Sequence, residues 1–146
     1  MEARMQNPGA VLSGVRQGIG EINKAVKASG LPEDTFELVH VRVSQINGCS
    51  ACLAGAAKST QSIERLATVA GWRDAPYFTD AERAALALAE AATRLADSPD
   101  PVPDAIWDEA ARYHDEHAMA GLVLAISMTN LFNRLNRVTR QPAGVW

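Results

Sequence analysis

The sequence predicts an all-α, single-domain protein, on three observations. Hydrophobic residues make up 47% of the 146-residue chain but aromatics only 5%, and the many alanines suit closely packed helices. Apolar residues recur at helical spacing over long stretches, as at Val11, Leu12, Val15, Ile19, Ile22, Ala25 and Val26. Thr79-Asp80-Ala81-Glu82 has the Thr-x-x-Glu form of a capping box, which starts helices and not strands. The length suits one domain with its own core, here residues 1–146, with 1–8 and 141–146 as tails.

Taken in order, the segments give about six to seven helices. Residues 1–8 read as a loose lead-in. Val11–Ala28 is a helix ended by Gly30, and Leu31-Pro32 opens the next, which runs to Ile46. A short small-residue helix covers Leu53 to Lys58, and Ser59 to Ser62 make a break. Ile63–Ala70 is stopped by Gly71. Trp72, Pro76, Tyr77 and Phe78 then occupy a loop, either lining a pocket or anchoring helices. The capping box opens a helix to about Ala96, and a Pro-rich connector follows at residues 97–103. Asp104 to Tyr113 is helical. His114 and His117 read as an exposed polar turn before a last helix from about His117 to Thr139. Its apolar face is Leu122, Leu124, Ala125, Met128, Leu131, Phe132 and Leu135, and Asn130, Asn133 and Asn136 recur along it as caps, cross-links or subunit contacts.

The chemistry concentrates in Glu37–Lys58. Cys49 and Cys52, the only two cysteines, form one Cys-x-x-Cys. Asn47-Gly48 suits the end of one helix and Cys49 the start of the next. A thiol there faces unpaired backbone N–H groups that favour its anion. Three residues apart on a helix, the two sulfurs lie close enough to join. A zinc half-site and inert core packing are the alternatives. No second Cys-x-x-Cys or close His pair completes a four-ligand site. Upstream, Phe36, Leu38, Val39, Val41, Val43 and Ile46 cover most of a helix's circumference, so that helix is buried on more than one side. Glu37, His40 and Ser44 form a polar stripe on it. Glu37 is either a buried proton carrier or a solvated first-turn acid, and His40 either a structural histidine or a participant.

Glu37-Leu38-Val39 followed by Ser44-Gln45-Ile46-Asn47-Gly48-Cys49-x-x-Cys52 resembles the core of the alkylhydroperoxidase D (AhpD) and carboxymuconolactone decarboxylase superfamily. Gly71-Trp72-Arg73, Phe78 to Leu86 and Thr129-Asn130-x-x-Asn133-Arg134-Leu135 extend the resemblance over roughly residues 31–142. It implies an AhpD-like fold of helix pairs, homo-oligomers (trimers or hexamers) and thiol-based peroxide reduction. The members with both cysteines relay protons among a glutamate, the two cysteines and a histidine four residues after the second cysteine. Glu37, Cys49 and Cys52 match; the histidine position is Ala56. Water or His40 could take its place. The resemblance makes Cys52 the peroxide-facing thiol, whereas in other Cys-x-x-Cys proteins the first cysteine often attacks. The decarboxylases of the superfamily generally lack the pair, which sets decarboxylation aside.

The expected site is therefore Cys52, Cys49, Glu37 and His40, acting without cofactor or metal on a small hydroperoxide and restored by a dithiol reductant. A non-peroxidatic disulfide reductase or redox sensor, and a non-catalytic oligomeric scaffold, are the other readings. Net charge is −3, which gives no electrostatic case for nucleic acid or an anionic membrane. No apolar run approaches membrane-spanning length, and the N-terminus has no apolar signal core. A cytoplasmic protein is expected, in which the cysteines cycle and are not a permanent staple.

Overall fold

The computed structural model describes residues 2–59 and 61–144. Its helices are α1 (Pro8–Val11), α2 (Val15–Ala28), α3 (Glu33–Ile46), α4 (Ser50–Ala56), α5 (Ile63–Thr68), α6 (Asp80–Thr93), α7 (Asp104–Tyr113) and α8 (Glu116–Thr139). No strand occurs among the described residues. The eighth helix, beyond the six or seven expected, is α1. Pro8 starts it where a missing N–H costs nothing, and Asn7 Oδ1 accepts the Gly9 N–H at 2.9 Å. Val11 is thereby split from the following helix, which begins at Val15 after Gly14.

α3 is the centre of the bundle, packed against α6, α8 and α4. Leu38, Val39 and Val43 are fully buried. Val39 and Val43 join Leu88, Ala89, Leu122 and Ala125 in the main core. Leu38 and Val41 face a second cluster with Leu86, Val69, Trp72 and Phe78. Each buried aliphatic side chain contributes about 1.5–3 kcal/mol of transfer free energy. A helix greasy on most sides thus needs neighbours on most sides, as its sequence implied.

The loop aromatics Trp72 and Phe78 are anchors for this second cluster. Trp72 Nε1 donates to Glu90 Oε1 at 3.0 Å. Glu90, on α6, also receives Arg42 of α3 at 2.6 Å and Arg73 at 2.9 Å. Arg83 donates to the carbonyls of Trp72, Arg73, Ala75 and Phe78, which closes the loop on itself. The capping box is present in full: Thr79 accepts the Glu82 N–H and Glu82 accepts the Thr79 N–H. Glu82 is in addition ion-paired with Arg65. The helix it opens ends at Thr93 and continues only as a 3-10 turn, Leu95–Asp97.

Three expectations need correction. Residues 4–7 are not loose, because Arg4 N–H donates to the Thr139 carbonyl at 2.9 Å and Gln141 Nε2 donates to the Met5 carbonyl at 2.9 Å. Both chain ends therefore lie on the end of α8; Met1, Val145 and Trp146 of the two expected tails fall outside the described residues. His114 is buried, with Nε2 at 3.4 Å from the Ala81 carbonyl, while His117 is exposed, so the two do not form a common polar turn. Finally, α8 has 24 residues and contains an 18-residue stretch of mean hydropathy 1.2, enough by length and composition to cross a membrane, although half of that stretch is buried in the bundle. Its inward residues are Leu122, Ala125, Ile126 and Thr129; Leu124 and Leu131, assigned to the same face from sequence, are each 41% exposed.

Candidate active site

The two cysteines sit where α3 stops and α4 starts. Asn47 is the C-cap of α3, and Gly48 follows with φ +63°, a left-handed conformation that a side chain rarely adopts. Cys49 is the N-cap of α4, its sulfur accepting the Cys52 N–H at 3.3 Å. Cys49 and Cys52 are joined as a disulfide with a Cα–Cα distance of 5.4 Å, inside the ordinary range. Both are buried, together with Ala51 and against Phe132 of α8.

Two clefts meet at this point. One, of about 610 Å³, has Cys52 in its wall with Ala51, Ile19, Phe132 and Leu135. The other, of about 480 Å³, is lined by Glu37, Ala56, Lys58 and Ser59. His40, Gly55 and Phe132 border both. His40 therefore stands between the acid and the thiol pair, and Ala56 lies on the acid's side. Cys49 borders neither cleft; it opens on a smaller one of about 260 Å³ with Ser50 and Arg140.

Glu37 is half-buried, and its Oε2 accepts a 2.5 Å hydrogen bond from Ser59 Oγ. His40 Nδ1 is 3.3 Å from Thr129 Oγ1. Burial pushes the His40 pKa below the usual imidazole value; the Cys52 carbonyl and the Glu37 charge offset this only in part. A neutral imidazole is thus favoured at neutral pH, the form that accepts a proton. Among the described residues, no group of three His, Cys, Asp or Glu side chains is arranged to hold a metal ion.

Two side chains at the thiols were not assigned a part in the chemistry from sequence. Asn133 Nδ2 donates to Cys52 Sγ at 3.1 Å, and Asn136 Nδ2 donates to Cys52 Sγ at 3.3 Å. Both are buried. The signal was present as amides three residues apart on an apolar helix, but spacing alone does not say what they face. Ser59, the partner of Glu37, carried no signal beyond marking a break.

Residues 15–91 match the model of the carboxymuconolactone decarboxylase family. Among curated proteins, the chain is 31% identical over 120 residues to the uncharacterized protein YdfG of Bacillus subtilis, covering 80% of each. It is 36% identical over 121 residues to the uncharacterized protein YnjA of Escherichia coli, covering 80% of this chain and 65% of that one. Among solved structures, it superposes on a protein of unknown function from Agrobacterium tumefaciens, ascribed to antioxidant defence as an AhpD. The TM-score there is 0.85 at 23% identity, over 99% of this chain and 100% of that one. The debrominase Bmp8 superposes with a TM-score of 0.77 at 22% identity, over 90% of this chain and 72% of that one. At these identities the likeness to solved structures speaks to the fold.

Proposed function

The chain belongs to the carboxymuconolactone decarboxylase family, and from that premise we propose that it is a thiol-dependent peroxidase of the AhpD type, reducing hydroperoxides through a Cys49–Cys52 dithiol–disulfide cycle. The observation that carries this reading is the bonded pair itself, with Cys52 in the wall of a largely apolar cleft that it shares with a neutral-leaning His40. A permanent staple needs no such cleft. A thiol that meets an organic hydroperoxide does.

In the reduced protein, His40 takes the proton of the Cys52 thiol, and Glu37, three residues before it on α3, supports the resulting charge. The thiolate attacks the terminal oxygen of the hydroperoxide. The O–O bond breaks, and its electron pair leaves with the alkoxide, which takes a proton and departs as the alcohol. Cys52 is oxidised by two electrons to the sulfenic acid. The Cys49 thiol displaces its hydroxyl as water, forming the disulfide. A dithiol reductant then returns two electrons and two protons by thiol–disulfide exchange. This cycle is assigned to the cytoplasm, where such reductants keep thiols reduced. A homo-oligomer, a trimer or hexamer, belongs to the same proposal; the exposed stripe Leu124, Leu131 and Val138 on α8 supports it, and light scattering tests it.

The test is peroxide consumption by the purified protein with a dithiol reductant. Turnover is expected in the unaltered protein and its loss in Cys52→Ser. Sulfenic acid should be trapped in Cys49→Ser; a stable sulfenic acid only in Cys52→Ser reverses the order of the thiols. Peroxide left intact by the unaltered protein, with a model disulfide still reduced, overturns the peroxidase in favour of a dithiol–disulfide reductase. Ala56 favours that second reading, because the family imidazole is missing there. Ala56 lies in the Glu37 cleft beside His40. Ala56→His is accordingly expected to raise the rate of peroxide-driven disulfide formation, measured by rapid mixing, and an unchanged rate shows that His40 already fills the role.

A further inference from the structure

Three asparagines, Asn130, Asn133 and Asn136, occupy one buried stripe of α8. A buried amide must satisfy a carbonyl at one end and two N–H donors at the other. Which end faces the sulfurs decides whether the stripe repels or attracts a negative charge there. Two chains of hydrogen bonds, each anchored on the backbone, decide it.

The first chain starts at α8 itself. Asn130 Nδ2 donates to the Ile126 carbonyl at 3.0 Å, so its Oδ1 is the end that accepts, from Arg134 and from Asn47 Nδ2. Asn47 Nδ2 is shared with Asn133 Oδ1 at 2.9 Å. The Asn133 carbonyl is thereby engaged, and its Nδ2 is left facing Ser44 Oγ and Cys52 Sγ, each at 3.1 Å. The second chain starts at the N-terminal segment. Asn7 Oδ1 accepts the Gly9 N–H, which turns Asn7 Nδ2 towards Asn136 Oδ1 at 3.1 Å. Asn136 Nδ2 then faces Cys52 Sγ at 3.3 Å and Cys49 Sγ at 3.8 Å. Flipping either amide sets amino group against amino group.

Two fixed N–H donors thus converge on one sulfur in a site sheltered from water. A disulfide or thiol sulfur is a weak acceptor, whereas a thiolate is an anion and makes bonds roughly twice as strong with the same donors. The arrangement is that of an oxyanion hole with sulfur in the anion's place. Cys49 has one close donor, the Cys52 backbone N–H, and stands further from the Asn136 amide.

We propose that Asn133 and Asn136 are catalytic residues that form an amide cradle for the Cys52 thiolate, lowering the pKa of that thiol and making it the attacking member of the pair. The proposal rests on the thiol-peroxidase reading for its reaction but not for its geometry. It has a second consequence. Stabilising the thiolate favours the reduced state, so the cradle also makes the disulfide easier to reduce at pH values where Cys52 ionises.

The test uses the full chain in a Cys49→Ser background, so that one thiol titrates. Thiolate absorbance and the rate of alkylation by iodoacetamide are followed against pH. Asn133→Leu and Asn136→Leu are each expected to raise the Cys52 pKa by about one unit, an about tenfold smaller thiolate fraction below that pKa. Thr79→Ala, a destabilising change at the remote start of α6, should leave the titration in place, which separates a local charge effect from general loosening. Should the leucine variants fail to fold, Asn133→Asp keeps the shape and the acceptor for Asn47 while setting a carboxylate against the sulfur; it should raise the pKa further. A Cys52 that titrates like free cysteine in the parent, or leucine and aspartate variants that leave its titration unmoved, overturns the cradle. Peroxide turnover is measured in parallel on protein that retains both cysteines. An amide-dependent thiolate without peroxide turnover supports the cradle and removes the peroxidase. Turnover with an amide-independent titration does the reverse.

Discussion

At the scale of single residues, two titratable side chains have opposite parts to play, and the same physics assigns them. His40 loses more by burial than it regains from the Cys52 carbonyl and Glu37, so its pKa lies below the ordinary 6.5. The unfolded chain therefore holds more protons than the folded one between those two values. This contribution to stability is complete above pH 6.5 and fades as pH falls through the folded pKa. The proposed reaction needs the neutral ring. Its rate should rise with pH through that depressed pKa, an acid limb below 6.5. In His40→Leu the limb should vanish and Cys52 oxidation should slow by about a hundredfold, as for loss of a general base; rapid mixing across pH is the measurement. Glu90 has no part in the site. Burial opposes its ionisation, but hydrogen bonds from Arg73, Trp72 and Arg42 outweigh burial and hold its pKa below the ordinary 4.5. Its share of stability is therefore present above pH 4.5 and is lost as pH falls through the folded value. Glu90→Gln leaves Arg42, with a side chain only 13% exposed, without its counter-charge. A loss of about 3 kcal/mol is expected in chemical denaturation, in the range for breaking a buried pair, and a loss within error would show that solvent compensates Arg42.

At the scale of elements, the packing of α8 on the end of α2 depends at one point on a residue with no side chain. Gly121 of α8 lies against Ser29 at the end of α2, and a Cβ there would run into the serine. Ser29 cannot swing aside freely, since its Oγ donates to the Val26 carbonyl at 2.7 Å and accepts the Leu31 N–H at 3.3 Å. Gly121→Ala should cost about 1–3 kcal/mol by overpacking, read as a lower Tm. Adding Ser29→Gly should recover part of that loss; no recovery would place the strain elsewhere. Gly121 was not legible in the sequence, because a helical glycine carries no mark of its neighbour. What was legible depended on local rules. Thr79 and Glu82 bond each other and Asn47-Gly48 ends its own helix, so both signals were complete within a few residues. The stripe on α8 was half legible. Leu124, Leu131 and Val138 repeat every seventh residue on the outer side, and hydrophobicity alone does not tell an outer apolar stripe from an inner one. At the site, the thiol pair was legible by type and spacing, whereas spacing left Glu37 open between a buried acid and a solvated one, and the structure has it half-buried beside Ser59. The amides of Asn133 and Asn136 were visible as a repeat, but their targets come from a segment more than eighty residues away.

At the scale of the whole molecule, the N-terminal segment and the thiol pair belong to one hydrogen-bonded unit. The Arg4 N–H is fixed to Thr139, Gln141 holds the Met5 carbonyl, and Asn7 reaches Asn136. Asn7, Gly9 and Gln141 also line the cleft that contains Cys52. Chain ends usually fray unless tied down; here the tie passes through the amide that donates to the sulfur. Asn7→Ala removes the acceptor's partner at Asn136 and frees that amide to turn its carbonyl inward, where it would oppose a thiolate. The expected result is a higher Cys52 pKa and slower alkylation of Cys52 by iodoacetamide, with Tm lowered only by the loss of a cap on α1, about 1 kcal/mol. The bulk of the core is built without residues 2–7, so secondary structure by circular dichroism should be unchanged. If Asn7→Ala alters Tm but leaves the thiol titration where it was, the segment is a brace for α8 and has no hold on the chemistry. If the titration moves, Asn7 tunes the reactivity of Cys52, far along the chain from it, through a single intervening amide.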